Sequence, residues 1–308
     1  MNNGTRAGAF CPGHITGFFQ ICDQGQDELA KGSLGAGFSL AQGVTTSVGH
    51  QQRPGSSTTI HINGRQTTSA MVSVRVAELF YSAIDLTPPA LEIRHTIPIP
   101  MGAGLGTSGA GALSLAYALN RLYDLPLSRE QAARIAHRAE VQYKTGLGTV
   151  IAETVGGLEI RTEAGAPGTG RVLCIPHPAE TAVCCLIFGP LSTQHALQDT
   201  KTRKRINDLG AVLVKEFGDN PSVESFLRLS RRFAEHTGLI TERVRSVLTA
   251  LDAENIPCSM PMFGEGIFTL IHPRDKSRVL RVFTQYQNSG TIIESSIDTQ
   301  GGRVINAA

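Results

Sequence analysis

Between Pro100 and Gly111 the chain reads Pro-Met-Gly-Ala-Gly-Leu-Gly-Thr-Ser-Gly-Ala-Gly, and a helical run from Ala112 to Leu122 follows at once. Glycines at this density let the backbone bend sharply and approach a ligand closely, and the free N–H groups of a following helix attract anions. The segment therefore predicts a phosphate cradle built from Pro100, Gly102, Gly104, Leu105, Gly106, Thr107, Ser108 and Gly109, with Thr107 or Ser108 capping the helix. The plain alternative is a glycine-rich turn before an ordinary amphipathic helix.

Spacing sorts the known nucleotide loops. Gly104, Gly106 and Gly109 satisfy G-x-G-x-x-G, but Pro98 and Pro100 interrupt the approach where a dinucleotide fold needs a central parallel strand. A Walker A loop needs Gly-Lys-Ser/Thr, and Gly104 to Ser108 holds no lysine. What remains is a lysine-free loop that neutralises phosphate through backbone N–H groups, a helix terminus and a metal.

A chain of 308 residues has room for one or two domains, and its 41% hydrophobic content, 18% charged content and net charge of +2 describe a soluble globular protein. That balance argues against nucleic-acid and membrane partners. The lack of a long apolar segment at the N-terminus predicts a cytoplasmic location. The six cysteines lack paired zinc spacing, and the nine histidines form no His-x-x-x-His pattern, so a protein-held transition metal is not expected. Cys184 and Cys185, adjacent in an apolar run, read as buried free thiols on opposite sheet faces.

Along the chain, residues 58–62 and 66–76 read as strands around an Asn63-Gly64 turn, and 91–99 as a strand delivering the glycine loop. Ser128 and Gln131 form a capping-box pair that opens a helix carrying His137, Glu140 and Lys144 on one face. Strands are expected at 158–161, 172–175, 182–188, 266–271 and 279–283, and helices at 201–217, 222–235 and 241–254. A glycine-rich stretch at 165–170 suggests a boundary between units 1–168 and 169–308.

Glu140 is the best candidate for the metal, with the Ser108 hydroxyl as a neutral oxygen ligand; the alternative for Glu140 is a solvated pair with Lys144. His137 on the same helix can hydrogen-bond an acceptor. Arg161, where a strand is expected to end, can present its guanidinium to a carboxylate. The basic run Lys201 to Arg205 reads as the wet side of a helix.

Three separated motifs resemble the GHMP kinases, the family named for galactokinase, homoserine kinase, mevalonate kinase and phosphomevalonate kinase. Phe10-Cys-Pro-Gly-His-Ile-Thr-Gly17 resembles the first motif, with His14 where lysine is common; Pro100 to Gly111 resembles the second; Met260 to Phe268 resembles a divergent third. The resemblance implies an α+β, two-lobed fold with an N-terminal nucleotide-binding half and a C-terminal α/β half, and ATP and Mg2+ as cofactors. Gly32-Ser-Leu-Gly-Ala-Gly37, His137 to Glu140 and Gly156 to Arg161 resemble the archaeal branch that acts on pantoate, which implies pantoate as acceptor and a homodimer as the expected assembly. By that resemblance Ser108 and Glu140 serve metal and phosphate, and His14, Ser33, His137, Arg161 and Thr193 line the acceptor pocket. Many relatives place an aspartate seven residues before a Gly-Gly pair, where this chain has Thr149. Threonine cannot be a carboxylate base, so Thr149 at most orients the acceptor hydroxyl or a water. Rival readings are another GHMP acceptor such as homoserine, a nicotinamide-dependent dehydrogenase, and a non-catalytic nucleotide-binding regulator.

Overall fold

The computed structural model describes residues 6–51, 57–85, 89–191 and 199–306. Two long strands, β1 (Arg6–Cys22) and β2 (Gly32–His50), pair antiparallel along nearly their whole length. Their register shifts at Pro12/Gly13 and Thr16/Phe18, and the first shift accommodates a proline that has no N–H to donate to the ladder. Because β2 is long, its two ends take different partners: β5 (Leu91–Thr96) at one, β6 (Leu158–Glu163) at the other. β3 (Thr59–Ile62) lies parallel to β5 and turns through Asn63-Gly64, both at positive φ, into β4 (Arg65–Thr67).

Helix α1 (Met71–Ala83) occupies ground where the sequence suggested a strand to residue 76. Ser73, Val76, Ala77 and Phe80 are buried at helical spacing, so a short apolar stretch was open to both periods and packing chose the helix. Helices α2 (Thr107–Leu122) and α3 (Arg129–Tyr143) pack on the sheet and on each other, and α4 (Thr149–Val155) sits against α2 and β1. The α3 capping box forms as its sequence requires: Gln131 N donates to Ser128 Oγ at 3.1 Å and Ser128 N to Gln131 Oε1 at 2.8 Å.

Beyond residue 168, β7 (Arg171–Ile175) pairs with β6, and β11 (Arg303–Ile305) pairs with β1, so both extend the first sheet to eight strands. The second sheet is antiparallel, with β8 (Ala182–Pro190) between β9 (Gly264–Ile271) and β10 (Thr291–Ser296). Helices α5 (Thr200–Asp219), α6 (Val223–Thr237), α7 (Glu242–Ala253) and α8 (Lys276–Thr284) complete the α+β architecture. The strand expected over 279–283 is α8, whose Val279, Val282 and Phe283 are buried at three- and four-residue spacing. Phe226 of α6 touches Phe18, Phe38, Phe217 and Phe268 at centroid distances from 5.9 to 6.1 Å, joining both sheets to α5 in one apolar cluster. Cys184 and Cys185 are both buried, as adjacent strand residues facing two packed layers should be.

Beneath the first sheet, the His95 ring lies 2.8 Å from Thr46 Oγ1 and 3.0 Å from Ser73 Oγ, and burial pushes its pKa down to about 4. Between that value and the ordinary one near 6.5 the unfolded chain binds a proton that the folded chain refuses, so stability is lost as pH falls through this window. Denaturant unfolding at pH 7.5 and 4.5 should show a pH-dependent loss that is smaller by roughly 2–3 kcal/mol in His95→Gln, which has no ring to titrate. An equal loss in both proteins would remove His95 from the acid response.

Candidate active site

The chain leaves β5 through Ile97-Pro98-Ile99-Pro100, which carries it off the sheet, and then turns at Gly102, Gly104 and Gly106, with φ of 71°, 73° and 69°. Gly106 is the N-cap of α2 in the left-handed conformation, and no side chain caps this helix. The cap expected from Thr107 or Ser108 is therefore absent: both lie inside the first turn. The first-turn N–H groups, which no residue of the same helix can satisfy, remain available to an anion. A Cβ at Gly104 would come to 2.6 Å from the Met262 carbonyl, and one at Gly106 to 2.6 Å from Glu153 Oε1 and 2.7 Å from His14 N. These close approaches bring all three sequence motifs together, and His14 N donates to Leu105 O at 3.0 Å.

Gly106→Ala combines the wrong φ with these contacts. We expect it to cost roughly 1–3 kcal/mol of stability and to weaken ATP-analogue binding at least about tenfold. Thermal unfolding and analogue titration would read both; unaltered nucleotide affinity would exclude the loop from phosphate binding.

Glu140 projects from α3 and is 2% exposed. Its Oε1 accepts from Ser108 Oγ at 2.5 Å and from Thr145 Oγ1 at 2.7 Å. Burial raises the carboxyl above its ordinary range, partly offset by these two hydroxyls. The solvated Glu140–Lys144 pair is thus overturned, because Lys144 forms the left-handed C-cap of α3 and is exposed while Glu140 is enclosed.

The same cavity is lined by Arg161, which is 1% exposed and inside β6 rather than at its end. Its Nη1 donates to Glu159 Oε1 at 2.5 Å, while Nε has no partner. His14 Nε2 lies 3.0 Å from the same Glu159 oxygen. Gly148 separates Ser33 from Arg161 so narrowly that a Cβ there would be 2.1 Å from Ser33 Oγ and 3.0 Å from Arg161 Nε.

The structure brings Gly102, Gly104, Leu105, Gly106, Thr107, Ser108, Gly109, Glu140, Thr149, His14, Ser33 and Arg161 around one cavity. Pro100 and His137 do not border it. His137 is buried with Nε2 3.1 Å from the Glu28 carbonyl, and burial lowers its pKa. Thr193 lies outside the described residues. Sequence reading missed Thr145, Glu159 and Glu153. Glu159 had a signal, since residues two apart on a strand share a face with Arg161. Glu153 had none: it is fully buried beneath the loop, its carboxyl raised well above normal by burial and by the charge of Glu140.

The GHMP kinases N terminal domain family matches residues 72–157. Pantoate kinase of Methanospirillum hungatei is 35% identical over 272 residues, covering 86% of this chain and 88% of that one. Pantoate kinase of Methanocaldococcus jannaschii is 33% identical over 261 residues, covering 85% and 91%. A solved phosphotransferase related to the CoA biosynthesis pathway superposes with a TM-score of 0.87 at 29% identity, over 98% of this chain and 99% of that chain. With its three motifs meeting at one cavity and relatives matched over most of its length, the chain belongs to the GHMP kinase family, together with the archaeal pantoate kinases.

Proposed function

We propose that the protein transfers the γ-phosphoryl group of ATP to the terminal hydroxyl of pantoate, giving ADP and 4-phosphopantoate for coenzyme A synthesis. The observation that carries this reading is one cavity lined by a lysine-free anion loop, the buried carboxylate of Glu140 and Arg161, whose Nε has no partner. The loop N–H groups hold the phosphates, Arg161 takes the acceptor carboxylate with the Ser33 hydroxyl beside it, and the far hydroxyl is left facing the loop. Pantoate itself comes from the likeness to the pantoate kinases.

The residues fit Mg2+ bound with its nucleotide. Among the described residues no group of three or more His, Cys, Asp or Glu gathers to hold an ion alone. One buried carboxylate and an adjacent hydroxyl, Glu140 and Ser108, match a cation that takes most of its shell from phosphate and water. Bound there, Mg2+ supplies charge neutralisation to the transferring phosphoryl group. Thr149 borders the cavity without a carboxylate, so its part is to orient the acceptor hydroxyl, and transfer relies on alignment and charge stabilisation. His137 supports the acceptor end indirectly, by fixing the backbone at Glu28 ahead of Ser33.

The same proposal includes a division near residue 168, crossed by β7 and β11, a cytoplasmic location and a homodimer, the last readable by light scattering. Among the described residues no helix is long and apolar enough to cross a membrane. Purified protein with ATP and Mg2+ should release ADP with pantoate and stay at background with homoserine or mevalonate. ADP release with homoserine in place of pantoate would move the protein to another acceptor.

A further inference from the structure

Beside the cavity lies a buried cluster of one arginine, one glutamate and one histidine. Arg161 and Glu159 are 1% and 0% exposed and paired, so together they carry no net charge. The His14 side chain has no exposed surface either, and its Nε2 faces Glu159. Glu159 Oε1 receives both Arg161 Nη1 and His14 Nε2, while Oε2 has no partner. A carboxylate only accepts, so Nε2 carries the His14 proton and Nδ1 is left with its lone pair, 3.4 Å from the Thr16 hydroxyl. An acceptor carboxylate at Arg161 would put two carboxylates on one buried guanidinium. That excess negative charge is costly unless a proton arrives.

Resting on the proposed pantoate reading, we infer that binding of the acceptor carboxylate is coupled to uptake of a proton by His14, making Glu159 and His14 the charge-balancing positioning pair of the acceptor site. The proton comes from solvent and forms an N–H bond at Nδ1, and the Thr16 hydroxyl turns to accept it. The result is an alternating row of imidazolium, Glu159, Arg161 and acceptor carboxylate. Before binding, burial keeps the His14 pKa below its ordinary value, partly opposed by Glu159, so the ring starts neutral. The charged groups facing it are Glu159 and Arg161 from β6. From α4, Glu153 stands across Gly106, and from α3, Glu140 borders the cavity; burial raises the carboxyl pKa of both.

Calorimetric titration of the whole protein with pantoate, in two buffers of different ionisation enthalpy at pH 7.5, reads the proton directly. The wild type should take up about one proton per site, and its pantoate affinity should weaken by up to about tenfold per pH unit as pH rises. His14→Gln keeps a donor toward Glu159 but cannot titrate, and Glu159→Gln removes the competing charge, so both should bind without uptake. A binding enthalpy independent of buffer in the wild type, which needs no variant to fold, overturns the coupling. So does uptake that persists in both variants. Absence of both pantoate-dependent heat and turnover instead overturns the function reading beneath it.

Discussion

Glu140→Gln is expected to lower kcat/KM for phosphoryl transfer by roughly 100- to 1,000-fold, the size associated with removing one preorganised charge from a transition-state site. Glutamine keeps the shape, and its amide oxygen can still accept from Ser108 and Thr145, which hold Oε1 in the native protein. What is lost is the negative charge proposed to draw the divalent cation. Stability should move the other way. A carboxyl whose folded pKa is raised contributes stability at low pH that is lost as pH rises above its ordinary value, so at neutral pH Glu140 costs stability. The variant should therefore unfold at the same temperature or higher while turning over slowly, with partial recovery at high Mg2+. Turnover within twofold of the wild type, at unchanged Mg2+ dependence, would remove Glu140 from the metal site.

Arg161→Lys should raise the KM for pantoate by about 100-fold and lower kcat as well, with ATP-analogue affinity unchanged within about twofold. Arg161 uses Nη1 on Glu159 and leaves Nε without a partner, so one planar group can serve two anions in fixed directions. An ammonium on a flexible stem keeps the charge but cannot hold both, and Glu159, fully buried, would lose part of its compensation. Some loss of stability is expected for that reason. Intact analogue binding shows that the variant is folded where it matters. Wild-type pantoate kinetics in Arg161→Lys would place the acceptor carboxylate elsewhere.

The parts of the molecule legible in the sequence are those fixed by local chemistry. The glycine loop was read as a sharp bend with close backbone approach, and Gly102, Gly104 and Gly106 make that bend at positive φ. Ser128 and Gln131 announced the start of α3 because a capping box is complete within four residues. Short apolar runs were ambiguous: residues 71–76 and 279–283 fit a strand locally and became parts of helices only through the faces they bury. The strand at 172–175 was legible and pairs with its neighbour β6 as a hairpin, whereas the pairing of residues 303–305 with β1 joins the two ends of the chain and had no local signal. Site residues divide in the same way. Ser108, Glu140 and Arg161 were chosen for their chemistry and reach one cavity, whereas the direction of the His137 ring depends on where residues 28–31 pass. Glu153 became visible only once the loop was seen to fold over it.

The most direct test of the account is the identity and stoichiometry of the product formed from ATP, Mg2+ and (R)-pantoate, followed by phosphorus NMR alongside ADP release. The account predicts equal amounts of ADP and a phosphate monoester whose phosphorus couples to the terminal methylene protons of pantoate. ADP accumulating without a phosphorylated pantoate, or phosphate appearing on the 2-hydroxyl, would contradict it.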